Sequence, residues 1–333
     1  MKILVTGGGG FLGQAIVRQL LDRGDDVVVL NRSDYPELTR AGVVCHRGDI
    51  SDREVVVQAA AGCQAVFHVA AKAGPGLHWP DFERPNVIGT DNVLAACQAH
   101  GIDTLVYTSS PSVVHGGGDI EYGDESLPYP DHFQAPYPAT KARAEQAVLG
   151  ANGPALKTCA LRPHLIWGPG DNQLVPRLVE KNRAGRLRLP APEKLIDTVY
   201  IDNAASAHVL ALDNLTGSAS AAGKAYFISN GEPLPTGEII GRLLEAYGET
   251  PRVGKVSPRL AMTAAAAIEG AWRLARRRSD PPLSRFVVEH LSTAHWYNLA
   301  AAERDLGYRP AVSITEGLVR LAEAQSLEQN RQA

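Results

Sequence analysis

The chain has 333 residues, which at ordinary domain sizes corresponds to about two domains, or to one large domain with a lobe attached. Hydrophobic residues make up 44% and charged residues 21%, a composition that rules out a disordered chain, a fibre or a polytopic membrane protein. The 33 Lys and Arg against 36 Asp and Glu leave a net charge of -3, which argues against nucleic acid as the main partner.

In chain order, short β-branched runs at Lys2 to Thr6, Val27 to Leu30, Gly42 to His46, Ala65 to Val69, Thr104 to Ser109 and Lys157 to Leu161 read as strands. Between them, Leu12 to Arg23, Arg53 to Ala60, Asn86 to Ala99 and Thr140 to Leu149 carry apolar residues at helical spacing. This alternation predicts an α/β fold, a Rossmann-type doubly wound parallel sheet that binds ligands at the carboxyl ends of its strands. Beyond Arg162-Pro163 the rhythm loosens. A strand-like Thr198 to Ile201 runs into a helix from Asn203 to Leu212, Ala225 to Ile228 offers another strand, and the tail from Thr236 is mainly helical. The expected organisation is a dinucleotide-binding domain over 1–165, to which 198–228 returns, and a smaller helical substrate lobe formed by 166–197 and 229–333.

Thr6-Gly7-Gly8-Gly9-Gly10-Phe11-Leu12-Gly13 places glycines at 7, 10 and 13 between the first strand and the first helix. Glycine permits the tight turn and lets the backbone approach a pyrophosphate, whose charge then rests on the helix N-terminus, so Gly7, Gly10, Phe11, Leu12 and Gly13 are read as dinucleotide-binding. The second strand ends in Asn31-Arg32-Ser33 rather than in an acidic residue. A guanidinium there can pair with a 2′-phosphate, which favours NADP(H), with Asn31 and Arg32 as contacts. Asp49 and Ile50 would sit beside the adenine, and Ala70 and Ala71 under the cofactor near the centre of the sheet.

Tyr137-Pro138-Ala139-Thr140-Lys141 sets a phenol and an ammonium four residues apart on one helical face. A nearby cation favours the phenolate and is expected to lower the tyrosine pKa, as acid/base work near neutral pH requires. Tyr107-Thr108-Ser109-Ser110 ends a strand at the same sheet edge, so Ser110, or less favourably Ser112, is the candidate donor to the substrate oxygen.

Taken with Asp49, His68-Val69-Ala70-Ala71, Asn86-Val87-Ile88-Gly89-Thr90, Leu161-Arg162-Pro163, Trp167-Gly168-Pro169-Gly170 and Asp305-Leu306-Gly307-Tyr308-Arg309-Pro310, these motifs resemble the extended short-chain dehydrogenase/reductases along nearly the whole chain. The resemblance implies catalytic roles for Tyr137, Lys141 and Ser110, with Lys141 also holding the nicotinamide ribose. It adds Tyr137, Lys141 and Pro163 to the cofactor contacts, and it leaves Asn86 open between a proton-relay support and a helix cap. Where the family often has a tyrosine two residues before a glycine, this chain has Val114-His115-Gly116.

Ile196 replaces the arginine common in sugar-nucleotide enzymes, and Asn203-Ala204-Ala205-Ser206-Ala207-His208 is similar to the 3β-hydroxysteroid dehydrogenase-like branch. Asp202, Asn203 and His208 serve as branch markers rather than site residues. Within that branch the resemblance, with Arg32 favouring the reducing direction, implies NADPH-dependent reduction of a 2-alkyl-3-oxoalkanoate to the 3-hydroxy acid, as in bacterial olefin synthesis. A 3β-hydroxysteroid or sterol-4-carboxylate dehydrogenase, a sugar-nucleotide epimerase or dehydratase, and a non-catalytic NADPH-binding regulator stand as alternatives.

Arg252 to Arg285 holds eight Lys or Arg and two Asp or Glu around an apolar run too short to span a bilayer. The segment 259–285 reads as a peripheral membrane contact, a partner-docking helix, a cover over a lipid-like substrate, or a plain buried helix with a basic end. Lys72 and Trp79 join its basic residues as candidates for contact with a carboxylate or acyl chain. Cys45, Cys63, Cys97 and Cys159 show neither metal nor disulfide spacing, so they read as buried thiols in a reducing compartment and no metal is expected. Glycines follow Ile3-Leu4-Val5 too soon for a secretory signal, so a cytoplasmic enzyme is expected, as a homodimer.

Overall fold

The computed structural model describes residues 1–332. Seven parallel strands, β1 (Lys2–Thr6), β2 (Asp26–Asn31), β3 (Val44–Arg47), β4 (Ala65–His68), β5 (Thr104–Thr108), β6 (Lys157–Pro163) and β7 (Lys224–Ile228), form one sheet in the order β7-β6-β5-β4-β1-β2-β3. Their near-continuous apolar runs follow from burial on both faces. Ile3, Val5, Val29, Phe67, Val106 and Leu161 point to one side, against the helices Phe11–Asp22 and Ile201–Thr216. Leu4, Val28, Val66, Leu105 and Ala160 point to the other, against Arg53–Ala59, Gly89–His100 and Pro136–Gly150. The strand order reverses between β1 and β4, and the crevice there is the natural ligand site of such a sheet.

The return strand β7 pairs with β6, Ala225 opposite Ala160. A small mixed sheet joins Leu234–Pro235, Leu195–Ile196, His295–Tyr297 and Ile120–Gly123, drawn from segments far apart in sequence. The main apolar core runs without a break from Ile3 through Trp167 and Val175 to Ile239 and Leu321. Helices Pro258–Leu274 and Arg285–His290 pack instead around a separate small cluster of Ala261, Ala265 and Val288.

Several elements differ from the sequence reading. The strand expected over Thr198 to Ile201 is reduced to Val199–Tyr200, because Ile201 already opens the following helix. The helix expected from Asn86 starts earlier, as Pro80–Glu83, and passes through a π-helical turn at Arg84–Ile88 before Gly89–His100. The tyrosine helix begins at Pro136, where proline loses no hydrogen bond in the first turn. Cys45 is exposed, not buried as expected, since β3 is the edge strand; Cys63, Cys97 and Cys159 are buried. Among the described residues no helix is long and apolar enough to cross a membrane.

Candidate active site

A cleft of about 940 Å³ opens along the carboxyl ends of the strands. At one end lies the glycine turn. Gly7 has φ +72°, and a Cβ there would meet the Ala70 Cα at 2.9 Å. A Cβ on Gly13 would fall 2.1 Å from the Gly7 carbonyl oxygen, so only glycine lets the first helix sit this close to the turn. Gly10, Phe11, Leu12 and Gly13 line the cleft at the start of that helix, whose free N–H groups and dipole suit a pyrophosphate. The Asn31 side-chain oxygen accepts the Gly9 N–H at 2.9 Å and so braces the turn from β2.

Arg32 follows on the rim, exposed and without an ion-pair partner among the described residues, while nearby Asp34 is paired with Arg47 at 3.1 Å. Asp49 and Ile50 line the same end. The Ser51 backbone N–H hydrogen bond is the main cause holding the Asp49 carboxyl below its ordinary pKa, helped by the Ser51 hydroxyl and by Arg84 and Arg32.

Beneath the middle of the cleft the path of Val69 and Ala70 is fixed by a directed chain. Both N–H groups donate to the Thr6 hydroxyl at 3.2 Å, and Thr6 donates to His68 Nδ1 at 2.8 Å. His68 Nε2 meets Thr90 Oγ1 at 2.9 Å, and Thr90 donates to the Asn86 carbonyl at 2.6 Å. That last bond makes Nε2 the protonated nitrogen of a neutral imidazole, in keeping with a pKa that burial depresses to about 3. Asn86 itself is buried outside the cleft lining. Its amide accepts the Lys72 N–H at 2.7 Å and donates to the Lys72 carbonyl and the Thr140 hydroxyl, each at 3.0 Å. The π turn thus presents Asn86 as a bracket between the loop after β4 and the tyrosine helix.

Tyr137, Lys141, Ser110 and Ser112 meet at the centre of the cleft. Ser110 caps the turn Pro111–Val114, accepting the Ser112 N–H, and its hydroxyl lies 2.9 Å from that of Ser112. Lys141 donates to the Thr108 carbonyl at 2.6 Å and lies 4.1 Å over the Tyr107 ring. Burial lowers the Lys141 pKa to about 7. The Tyr137 phenol is pushed up rather than down, because burial outweighs the opposing hydrogen bond from Ser110. The expected lowering by Lys141 is therefore corrected: desolvation governs both groups in this chain.

The tyrosine helix carries a further member of the stripe that the sequence reading missed. Glu145, one turn beyond Lys141, is fully buried and pairs with Arg162 of β6 at 2.6 and 3.0 Å, and the Tyr129 hydroxyl donates to it at 2.6 Å. The signal was present as a third residue in the i, i+4 series facing an arginine set in an apolar strand.

The far wall comes from Pro163 at the end of β6, from His164, Leu165 and Ile166 that follow it, and from Phe286 and His290 of the helix Arg285–His290. The Phe286 and Tyr137 rings stand edge to face with centroids 6.3 Å apart. Lys72 lines the cleft but faces Asp81 at 3.7 Å, whereas Trp79 is exposed and lies outside it. Phe286, His290 and His164 gave no sequence signal, because their partners lie on remote segments. His208 and Asn203 are internal: His208 bridges the Thr108 hydroxyl and the Ala204 carbonyl, and Asn203 ties Asn230 to Val312. Among the described residues no group of His, Cys, Asp and Glu is arranged to hold a metal ion.

Glycines that a Cβ would fill, a helix N-terminus facing the cleft, and an open path from Arg32 to Tyr137 fit an extended dinucleotide. Comparison with known proteins agrees. The chain is 57% identical over 325 residues to the 2-alkyl-3-oxoalkanoate reductase of Stenotrophomonas maltophilia (strain K279a), covering 96% of this chain and 98% of that protein. It is 45% identical to the protein of the same name from Shewanella oneidensis, covering 95% and 84%. Among solved structures, the UDP-glucose 4-epimerase of Thermus thermophilus in complex with NAD superimposes with a TM-score of 0.74 at 26% identity, covering 98% of this chain and 99% of that one. The 3-beta hydroxysteroid dehydrogenase/isomerase family matches residues 4–255, and the chain belongs to that family of nicotinamide-dinucleotide oxidoreductases.

Proposed function

We propose that this chain is an NADPH-dependent 2-alkyl-3-oxoalkanoate reductase, forming the 2-alkyl-3-hydroxyalkanoate. The observation that carries the reading is the meeting of Tyr137, Ser110 and Lys141 in one cleft, in a chain that matches bacterial reductases of that name almost end to end. A nicotinamide dinucleotide held along Gly7, Gly10, Ala70 and Lys141 would supply the hydride for C3. Ser110 donates to the ketone oxygen, and Tyr137 gives that oxygen a proton as the C=O bond becomes CH–OH. Burial keeps the phenol protonated at neutral pH but makes it a weaker acid, so its proton moves only as negative charge develops on the substrate oxygen. Lys141 places an amine one helical turn behind that proton.

NADPH over NADH is supported by Arg32 on the rim and by Asn31, engaged with Gly9, at the end of β2 where an acidic residue would accept the ribose hydroxyls. Exposed Leu260, Leu274, Arg276 and Arg277 support peripheral contact of the segment 259–285 with an acidic surface in the cytoplasm, while Arg278 lines the cleft. The deciding assay follows NADPH oxidation with a 2-alkyl-3-oxo acid, a 3-ketosteroid and a UDP-sugar. Turnover of the oxo acid is expected. Tyr137→Phe should lower kcat by about 10³-fold or more while cofactor binding persists; unchanged activity in this variant, or turnover of the sugar nucleotide alone, would sink the reading.

A further inference from the structure

Four histidines from separate segments converge behind the far wall of the cleft. His115 follows the turn after β5, His164 follows β6, His290 ends its helix, and His295 opens a strand of the small sheet. The His115 ring centroid lies 4.6 Å from that of His290 and 5.4 Å from His295, and His295 lies 5.2 Å from His164 and 5.1 Å from His290. Both ring nitrogens of His115 and His295, and Nδ1 of His164 and His290, are buried with no hydrogen-bond partner among the described residues. Buried polar atoms left in this way are costly and are rare without a ligand or solvent to meet them. The nest is also not closed off: His164 and His290 line the cleft with Tyr137, and the His290 ring is 4.5 Å from Phe286, the ring that abuts Tyr137.

We propose that this nest seats the carboxylate of the substrate, with His164 and His290 as its direct partners and His115 and His295 as positioning residues behind them. The inference rests on the reductase reading above. In a 2-alkyl-3-oxoalkanoate the carboxyl carbon is two carbon–carbon bonds from C3, so an oxygen held at Tyr137 brings the carboxylate to the neighbouring wall. Of the other cations on the cleft, Lys72 faces Asp81 and Arg84 donates to Ser51 at the cofactor end, while Arg278 is exposed, without an ion-pair partner among the described residues, and is the rival that the test separates from the nest. The nest is neutral without an anion, since burial and mutual repulsion keep the imidazoles of His164, His290 and His295 unprotonated. An entering carboxylate makes a charge-assisted hydrogen bond with one imidazole, which takes a proton from solvent. The groups facing the nest are Asp119, whose charge Lys194 balances, Asp197, whose pKa burial raises to about 6, and the buried Glu289 beside His290. The first two already spend an oxygen on the backbone N–H groups of Ala294 and Tyr297.

The test compares initial rates of the full-length enzyme on a 2-alkyl-3-oxo acid and on its methyl ester, each with NADPH and across pH. The wild type should prefer the acid, with a KM for the acid that rises with pH and a KM for the ester that does not. His290→Phe should lose about 30-fold or more of kcat/KM on the acid, mainly through KM, and less than about threefold on the ester. His290→Gln, which keeps a donor, should recover part of the loss. Equal losses on acid and ester would mark the nest as structural and overturn the proposal, as would an acid-specific loss on Lys72→Met or Arg278→Met with none on His290→Phe. Should the histidine variants fail to fold, the wild type decides, because equal kcat/KM for acid and ester at every pH overturns the carboxylate seat while leaving the reductase reading intact. Turnover of neither compound overturns both.

Discussion

Arg32 is a single exposed side chain on which the proposed preference for NADPH rests. Arg32→Glu should lower the ratio of kcat/KM for NADPH to that for NADH by about tenfold or more, because a carboxylate repels the 2′-phosphate and accepts from a ribose hydroxyl. Initial rates with both coenzymes measure it, and an unchanged ratio places the preference elsewhere. Glu145 acts at the opposite depth. Its carboxylate is the buried counter-charge of Arg162, and that guanidinium also lies 5.2 Å over the Phe227 ring. Glu145→Ala strands a buried cation, so urea unfolding should show a loss of about 3–5 kcal/mol. A loss below about 1 kcal/mol would show that water reaches the pair.

At the scale of elements, the glycine turn and the tyrosine helix were legible because each carries its signal within a few residues. Gly7 must be glycine to take a positive φ against Ala70, and Tyr137 and Lys141 share a face by helical geometry alone. Gly13→Ala should accordingly abolish tight dinucleotide binding while the sheet stays folded, since its Cβ meets the backbone of Gly7; fluorescence titration with NADPH and far-UV circular dichroism separate the two effects. The wall opposite was not legible. Phe286 and His290 reach the cleft on a six-residue helix positioned by Glu269, which accepts the Arg285 backbone N–H at 2.8 Å and its Nε at 3.0 Å from a different helix. No local pattern announces such a meeting, and the four histidines of the nest have no common period. The tyrosine pKa was misjudged for a related reason: spacing shows which charges lie near a group but not how much water burial removes.

For the whole molecule, buried imidazoles set the response to acid. Burial depresses His68 to about 3 and His208 and His295 to about 4, and lowers His115, His164 and His290 as well. Each charges on unfolding, so below the ordinary histidine pKa of about 6.5 the unfolded chain binds more protons than the folded one. Their stabilising contribution is complete above that value and is lost as pH falls towards the folded values. Asp197 runs the other way: raised to about 6, it binds a proton when folded and loses that contribution as pH rises through 6. Burial raises Glu125 and Glu289 in the same sense, and these three carboxyls oppose six imidazoles, so the urea midpoint should fall between pH 6.5 and 5; a flat profile would show that these rings are hydrated. The unbroken core from Ile3 to Leu321 implies one main unfolding transition for the sheet and most of the second lobe. The pair Pro258–Leu274 and Arg285–His290 stands outside it on a small alanine-rich cluster. That cluster gives the pair a separate, lower cost of local opening, so amide exchange there should outpace exchange in the sheet. The wall that meets the substrate can thus be recut by mutation at little risk to the half that carries the coenzyme, and one sheet can be inherited unchanged while the acids it accepts diverge.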